Sequence, residues 1–189
     1  MSDQGSEGVF SPFLRARRIG VALHFLRGRV LDYGCGAGAL AALIDPRLYL
    51  GFDRDDSALA LARSRFPRHR FVTELPQQER FNTIAALAVV EHLPEPEHWL
   101  RLMLPLLAAK GSIVITTPHP AFRLLHEAGA RAGLFSRQAA AEHETLFNRA
   151  ALLRLAVSAG FELVHYRRFL LGANQLAVMT PRRFAETHA

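Results

Sequence analysis

Apolar positions along this chain follow two rhythms that alternate. From about residue 12 to 27, Ile19, Ala22, Leu23 and Leu26 fall at i, i+3, i+4, i+7, one face of a helix, and arginines take the other side. Short apolar runs then trade places with helical patterns. The pattern predicts strands at 29–33, 48–52, 70–73, 83–90 and 112–116, and helices at 37–44, 57–65 and 96–107. A turn at Asp45-Pro46 precedes the second strand, and Pro105 should end its helix early because proline lacks an N–H and clashes with the turn before it. Alternating strands and helices imply crossover connections and a parallel sheet.

Beyond Pro120 the pattern changes to a cationic helical stretch at 121–138. Asn148 reads as the cap of a helix running to Ala159, which Gly160 stops in the left-handed conformation. Two last strands, 162–170 and 175–179, are joined by a hairpin-like turn at Gly172-Ala173-Asn174. No repeat or linker interrupts the series. The expected organisation is a single domain over 1–189, with a loose tail at 1–12 and an acceptor-binding lid at 120–146.

Composition agrees with one globular domain: 189 residues, 50% hydrophobic, 21% charged. The longest apolar stretches fall far short of the roughly 20 residues of a membrane span, and the N-terminus is polar. A cytoplasmic protein is expected. Cys35 is the one cysteine, so no disulfide can form within the chain and no cysteine-based metal cluster is expected. The formal charge of +6 is carried almost wholly by arginine and raises the prospect of anionic partners. The arginines at 15–18, 63–70, 167–168 and 182–183 are interspersed with carboxylates, however, and read as a solvated surface.

One segment carries chemistry. Val30-Leu31-Asp32-Tyr33 runs into Gly34, Gly36 and Gly38, and Gly51-Phe52-Asp53 closes the next strand. Glycines at a strand's end let the backbone approach a ligand, and an acid at the tip of the next strand can accept both hydroxyls of a ribose. Gly34, Gly36 and Ala39 also satisfy the dinucleotide fingerprint, so spacing alone leaves the nucleoside open. Asp32 favours a cationic ligand. Its carboxylate would repel a pyrophosphate and attract the ammonium of a methionine moiety.

With VLDYGCGAG at 30–38, the chain resembles the class I S-adenosylmethionine (SAM)-dependent methyltransferases. GFDRDDSALALARSRFP, FVTELP, FNTIAALAVVEHLPEPEHWL, KGSIVITTPHP and EHETLFNRAALLRLAVSAGF are similar to that family's later segments, so the likeness covers roughly 15–179. It implies a Rossmann-like α/β fold: a seven-stranded, mostly parallel sheet with an antiparallel last strand and helices on both faces. It implies SAM as cofactor, held by Asp32, Gly34, Cys35, Gly36 and Gly38, with Asp53 at the ribose, Arg54 beside the adenine and Glu74 near its amino group. Leu75, Ala88 and Glu91 complete the implied pocket, and no metal is expected. Asn82 departs from the family, standing where an aspartate is usual in the fourth strand.

Methyl transfer is an in-line displacement, so the enzyme mainly aligns its reactants, and a base near the acceptor accelerates the step. His92 and His143 are the candidate bases; each also has a structural reading, His92 as pocket wall and His143 as a tie for the lid. His119, between two prolines, reads as a turn residue. Cys35 reads as a small packing side chain. The expected activity is methylation of an O or N atom of a small molecule. Nucleic acid is the alternative acceptor, disfavoured because Val-Val-Glu-His-Leu ends the fourth strand where amino-methylating enzymes carry Asp/Asn-Pro-Pro-aromatic. A non-catalytic SAM-binding protein is a third reading, permitted by Asn82, and the 121–138 stretch could rest on an anionic membrane.

Overall fold

The computed structural model describes residues 11–120 and 145–182. Residues 121–144, which hold most of the lid expected at 120–146, His143 and the cationic stretch expected at 121–138, lie outside the described residues, as does most of the tail.

Helix α1 (Ser11–Leu23) leads into β1 (Val30–Tyr33), followed by β2 (Tyr49–Phe52), α2 (Asp56–Arg65), β3 (Arg70–Val72) and β4 (Phe81–Leu87). Then come α3 (Pro96–Met103), β5 (Leu107–Pro118), α4 (Arg149–Ser158), β6 (Phe161–Phe169) and β7 (Asn174–Pro181). The seven strands form one sheet in the order β3-β2-β1-β4-β5-β7-β6. Strands β1 to β5 pair in parallel, and β7 alone is reversed, antiparallel to both β5 and β6.

Both faces of the sheet are covered, which is why β1 and β2 are buried at every residue. Because side chains alternate along a strand, neighbours go to opposite cores. Leu31, Leu50, Ile84 and Ile113 pack with Trp99, Leu100 and Met103 of α3 and Leu152 and Leu155 of α4. Val30, Tyr49 and Ala85 pack on the other face with Ile19 of α1 and Leu59 and Ala62 of α2. Each large apolar side chain so enclosed contributes roughly 1.5–3 kcal/mol.

The ends of the elements follow local chemistry. Asp55 caps α2 by accepting from the N–H groups of Ser57 and Ala58, and Asn148 caps α4 by accepting from Ala151 N–H at 2.9 Å. Gly160 ends α4 at φ +83°. Pro105 does stop its helix: α3 closes at Met103, and Leu104–Leu106 continue as a 3₁₀ turn directly into β5.

One expected helix does not form. Between residues 37 and 44 the chain makes turns and a single 3₁₀ turn, Ala41–Leu43. Gly34, Gly36 and Gly38 all have positive φ, so the left-handed bends extend to residue 38, and the Asp45-Pro46 cap begins the next turn. The stretch left between them is too short to nucleate an α-helix.

Candidate active site

The C-terminal ends of β1 and β2 lie side by side, Tyr33 against Phe52. There the Phe52 carbonyl accepts the N–H groups of both Gly34 (2.8 Å) and Cys35 (3.0 Å), which turns the chain sharply away from the sheet. Two glycines in this turn have different reasons to be glycine. A side chain at Gly34 would meet Val89 Cγ2 at 2.6 Å, so that position is closed by packing. At Gly36 (φ +52°) an added Cβ would meet nothing within 4 Å; its backbone faces open space, as a ligand-cradling position must.

Asp53 fixes this turn from the neighbouring strand. Its Oδ2 accepts the Gly36 N–H at 2.7 Å and its Oδ1 accepts the Asp55 N–H at 3.0 Å. A single half-buried carboxylate thus ties the β1 turn to the start of α2.

A cleft of about 910 Å³ opens beside the turn. Of the residues nominated from sequence, Asp32, Gly34, Cys35, Gly36 and Ala88 border it. Gly38 does not. It backs onto Phe66 and Phe71, where a Cβ would sit 3.1–3.2 Å from their rings, so it serves packing. Arg54 and Glu74 are exposed, and Leu75 packs against the core that holds Tyr33 and Phe52. Glu91 and His92 lie on a 3₁₀ turn, Val90–His92, just beyond Ala88, with Glu91 buried and His92 exposed.

The sequence reading missed the far wall. Arg15, Arg18 and Ile19 of α1 border the cleft, and Arg18 Nε donates to Asn174 Oδ1 at 3.0 Å. Treating arginines 15–18 as plain surface therefore does not hold for these two. A helix preceding β1 carries no motif that would assign its arginines to a site.

Electrostatically the cleft centres on Asp32, which is 4% exposed. Burial pushes its carboxyl up to about 7, a hydrogen bond from the Tyr49 hydroxyl (2.7 Å to Oδ2) holds it down, and the charge of Asp53 adds to the rise. Burial likewise raises the Cys35 thiol, so it remains a neutral packing group. Ala88 adopts φ +60°, a conformation unfavourable for a residue with a Cβ, and its N–H is held by the Thr116 carbonyl at 2.8 Å.

Further buried polar side chains lie near the ends of β4, β5 and β7, Thr117 and Gln175 on one face of the sheet and Thr116 and Asn174 on the other. Glu91, Thr116, Thr117, Asn174 and Gln175 are all buried. Gln175 is well partnered, its Nε2 donating to the Pro118 carbonyl at 3.1 Å and its Oε1 accepting from the Tyr166 hydroxyl at 3.0 Å. Thr117 lies beside the Glu91 carboxyl and offers it a hydrogen bond, while Thr116 Oγ1, on the other face of β5, has no partner. Burial raises the Glu91 carboxyl, offset by backbone hydrogen bonding, by the hydrogen bond from Thr117 and by the charge of Arg18. The unmet capacity at Thr116 costs about 1–3 kcal/mol unless a ligand supplies the partner.

Asn82 has no part in either group. It sits at the opposite end of β4, where its Oδ1 accepts the Arg29 N–H at 2.9 Å and a Cβ at Gly28 would strike its side chain. Its replacement of aspartate is a loop contact and gives no reason to read the site as inactive. Among the described residues no group of three potential metal ligands occurs and no helix is long and apolar enough to cross a membrane.

The donor set favours a cationic nucleoside over a dinucleotide. Pyrophosphate sites use the N-terminus of an α-helix, and the turn after β1 leads only into the three-residue 3₁₀ turn, with a carboxylate at its base. Asp32 presents a carboxylate to the cleft, and the backbone at Gly36 faces open space.

Comparison with known proteins agrees. A family model described as a methyltransferase domain matches residues 11–166. A protein of Mycolicibacterium smegmatis named "Probable S-adenosylmethionine-dependent methyltransferase" is 30% identical over 148 residues, 74% of this chain and 54% of its own length. Trans-aconitate 2-methyltransferase of Variovorax paradoxus is 32% identical over 117 residues, 55% of this chain and 45% of its own. The chain spans about half the length of these curated relatives. In fold it is similar to a S-adenosylmethionine-dependent methyltransferase from Clostridium acetobutylicum, with a TM-score of 0.68 at 10% identity over 93% of this chain and 97% of that one. With its sheet order, glycine turn and paired strand-end acids, the chain belongs to the Rossmann-like, S-adenosylmethionine-dependent methyltransferase domain family.

Proposed function

We propose that this protein transfers a methyl group from SAM to an O or N atom of a small-molecule acceptor. The observation that carries the reading is the open backbone at Gly36, flanked by Asp32, which borders the cleft from β1, and by Asp53, which follows β2 and holds the Gly36 N–H from behind the cleft lining. Bound there, SAM supplies an electrophilic methyl group on a sulfonium. Asp32 takes the ammonium of its methionine moiety, and Asp53 accepts from the ribose while still holding the Gly36 N–H. Arg54, Glu74 and Leu75 are the groups proposed for the adenine end.

A small acceptor is supported by the buried polar side chains near the strand ends. Glu91 is buried just beyond β4 with Thr117 beside it, a polar pair that suits an acceptor's hydroxyl or amine reaching the β4 end. The name of the Variovorax relative, a trans-aconitate methyltransferase, points the same way. His92, one 3₁₀ turn beyond Ala88, is proposed as the base that takes the acceptor's proton, with His143 as the second candidate. The protein's work is then alignment and exclusion of water, helped by proton removal.

The test is transfer of a labelled methyl group from SAM into fractionated cell extract. Label in the small-molecule fraction supports the reading. Label only in nucleic acid replaces the acceptor class, and no label in any fraction refutes methyl transfer.

A further inference from the structure

We propose that Tyr49 is a positioning residue for the cofactor: its buried hydroxyl holds the Asp32 carboxylate at the edge of the cleft, oriented to meet the methionine ammonium. The inference rests on Asp32 receiving that ammonium.

The geometry comes from a missing side chain. Asp32 lies opposite Gly51 in the parallel pairing of β1 with β2, and Tyr49, two residues earlier on β2, points to the same face. Because Gly51 has no side chain, Tyr49 can reach across to Asp32. A Cβ at Gly51 would lie 2.6 Å from Phe71 and 2.9 Å from Cys35 Sγ, so the space is shared by these groups and has no room to spare. The ring of Tyr49 is held edge-on by His69 (5.4 Å between centroids) and Phe71 (5.7 Å). The hydroxyl therefore arrives at Asp32 Oδ2 from a fixed direction, 2.7 Å away. No hydrogen bond to Asp32 Oδ1 occurs among the described residues, and Asp32 borders the cleft, so that oxygen is left for a ligand.

Tyr49 itself does not ionise: burial, then the negative charge of Asp32, raises its hydroxyl, and it stays a donor. Asp32 is the group that titrates near neutrality. The charged and titratable groups around it are Asp53 and Cys35 at the turn, Arg15 and Arg18 from α1, Asp55 and Arg65 from α2, and His69 behind Tyr49. An ammonium against the carboxylate favours its ionised form. Below about pH 7 the cofactor must displace a proton, so its affinity falls towards acid by up to about tenfold per pH unit. The Tyr49 hydrogen bond assists, since it too favours the ionised acid; without it Asp32 keeps its proton to higher pH.

The experiment is calorimetric titration of the protein and of Tyr49→Phe between pH 5.5 and 8, in two buffers of different ionisation enthalpy. S-adenosylhomocysteine, which keeps the ammonium, and methylthioadenosine, which lacks it, are the probes. The wild-type protein is expected to release a proton on binding S-adenosylhomocysteine below pH 7, while its affinity for methylthioadenosine stays flat. In Tyr49→Phe the bend in the S-adenosylhomocysteine profile moves up by about one pH unit, a hydrogen bond to a charged group being worth about that much, and affinity at pH 7 falls about fivefold. Methylthioadenosine binding should stay within about twofold. Asp32→Asn should bind S-adenosylhomocysteine more weakly with no bend at all. An unmoved bend in Tyr49→Phe, or equal losses for both probes, overturns the proposal. Failure of the wild-type protein to bind S-adenosylhomocysteine at any pH would instead refute the cofactor assignment of Asp32 along with it.

Discussion

Asp53 Oδ2 accepts the N–H of Gly36 at 2.7 Å, so the acid that ends β2 also fastens the bend that follows β1. The same carboxylate is proposed to meet the ribose, which gives it two duties. Asp53→Ala is expected to weaken SAM binding by about 10- to 100-fold, because it loosens the turn and strands the sugar hydroxyls. Asp53→Asn keeps an acceptor for Gly36 and should lose less. Titration of both variants with SAM checks this; equal affinity in all three proteins would place the ribose elsewhere.

The glycines of the turn should separate stability from binding. Gly34→Ala forces a Cβ to 2.6 Å from Val89 at φ +75°, and we expect a loss of roughly 2–4 kcal/mol in chemical denaturation. Gly36→Ala meets open space and carries only the strain of a left-handed alanine, about 1 kcal/mol. Its main effect is expected on cofactor affinity, because the methyl fills the cradle. If the two variants unfold alike, the two glycines do not have the distinct roles assigned to them.

Asp32 should make the unliganded protein less stable as pH rises. Its carboxyl is raised in the fold to about 7 from 3.8, so the folded state binds the proton more tightly than the unfolded chain. That advantage is complete below the unfolded value and is lost as pH climbs through 7, on the order of 4 kcal/mol. Asp32→Asn, which can still accept from Tyr49, is expected to melt at higher temperature than wild type at pH 8 and to show a flatter pH profile. Thermal melts without cofactor at pH 5 and pH 8 measure it, and a variant less stable at pH 8 would contradict the sign.

Glu91 and His92 are neighbours with opposite exposure, and their substitutions should part accordingly. His92→Ala is expected to leave SAM affinity within about twofold while lowering turnover by about 10²–10⁴ if it takes the acceptor's proton. Glu91→Gln retains shape but loses charge, so it should raise the acceptor KM more than it changes SAM binding. Initial rates against acceptor concentration, once the labelled fraction has supplied the acceptor, distinguish the two. Wild-type turnover in His92→Ala would remove it from the chemistry.

How far the sequence reveals this site depends on how local each signal is. The strand-end acids and the glycine bend are contiguous motifs, and the alternation of apolar runs with helical patterns gives the parallel sheet because its central strands β1 and β2 are buried on both faces. The helix expected at 37–44 fails because composition says nothing of three successive left-handed glycines. Arg18, Asn174 and Glu91 are brought together from α1, β7 and the turn after β4, a meeting that no spacing along the chain encodes. Tyr49 escaped for the opposite reason: it looks like an ordinary core residue until the absent side chain of Gly51 is seen beside it. Gly38 belongs to the motif in sequence yet acts in packing, since what matters is which way its backbone faces.

The bend that replaces a helix has a mechanical consequence. Residues 34–44 are fastened by the Phe52 carbonyl, by Asp53 and by a few short-range turn bonds, with no helical ladder running through them. Their amide protons should therefore belong to the fast-exchanging part of the molecule while the strands beneath stay protected. Cys35, Leu40 and Ala41 nonetheless pack with Val30, Tyr49 and Phe71, so a ligand entering here presses on the core of the sheet while leaving its hydrogen-bond ladder untouched.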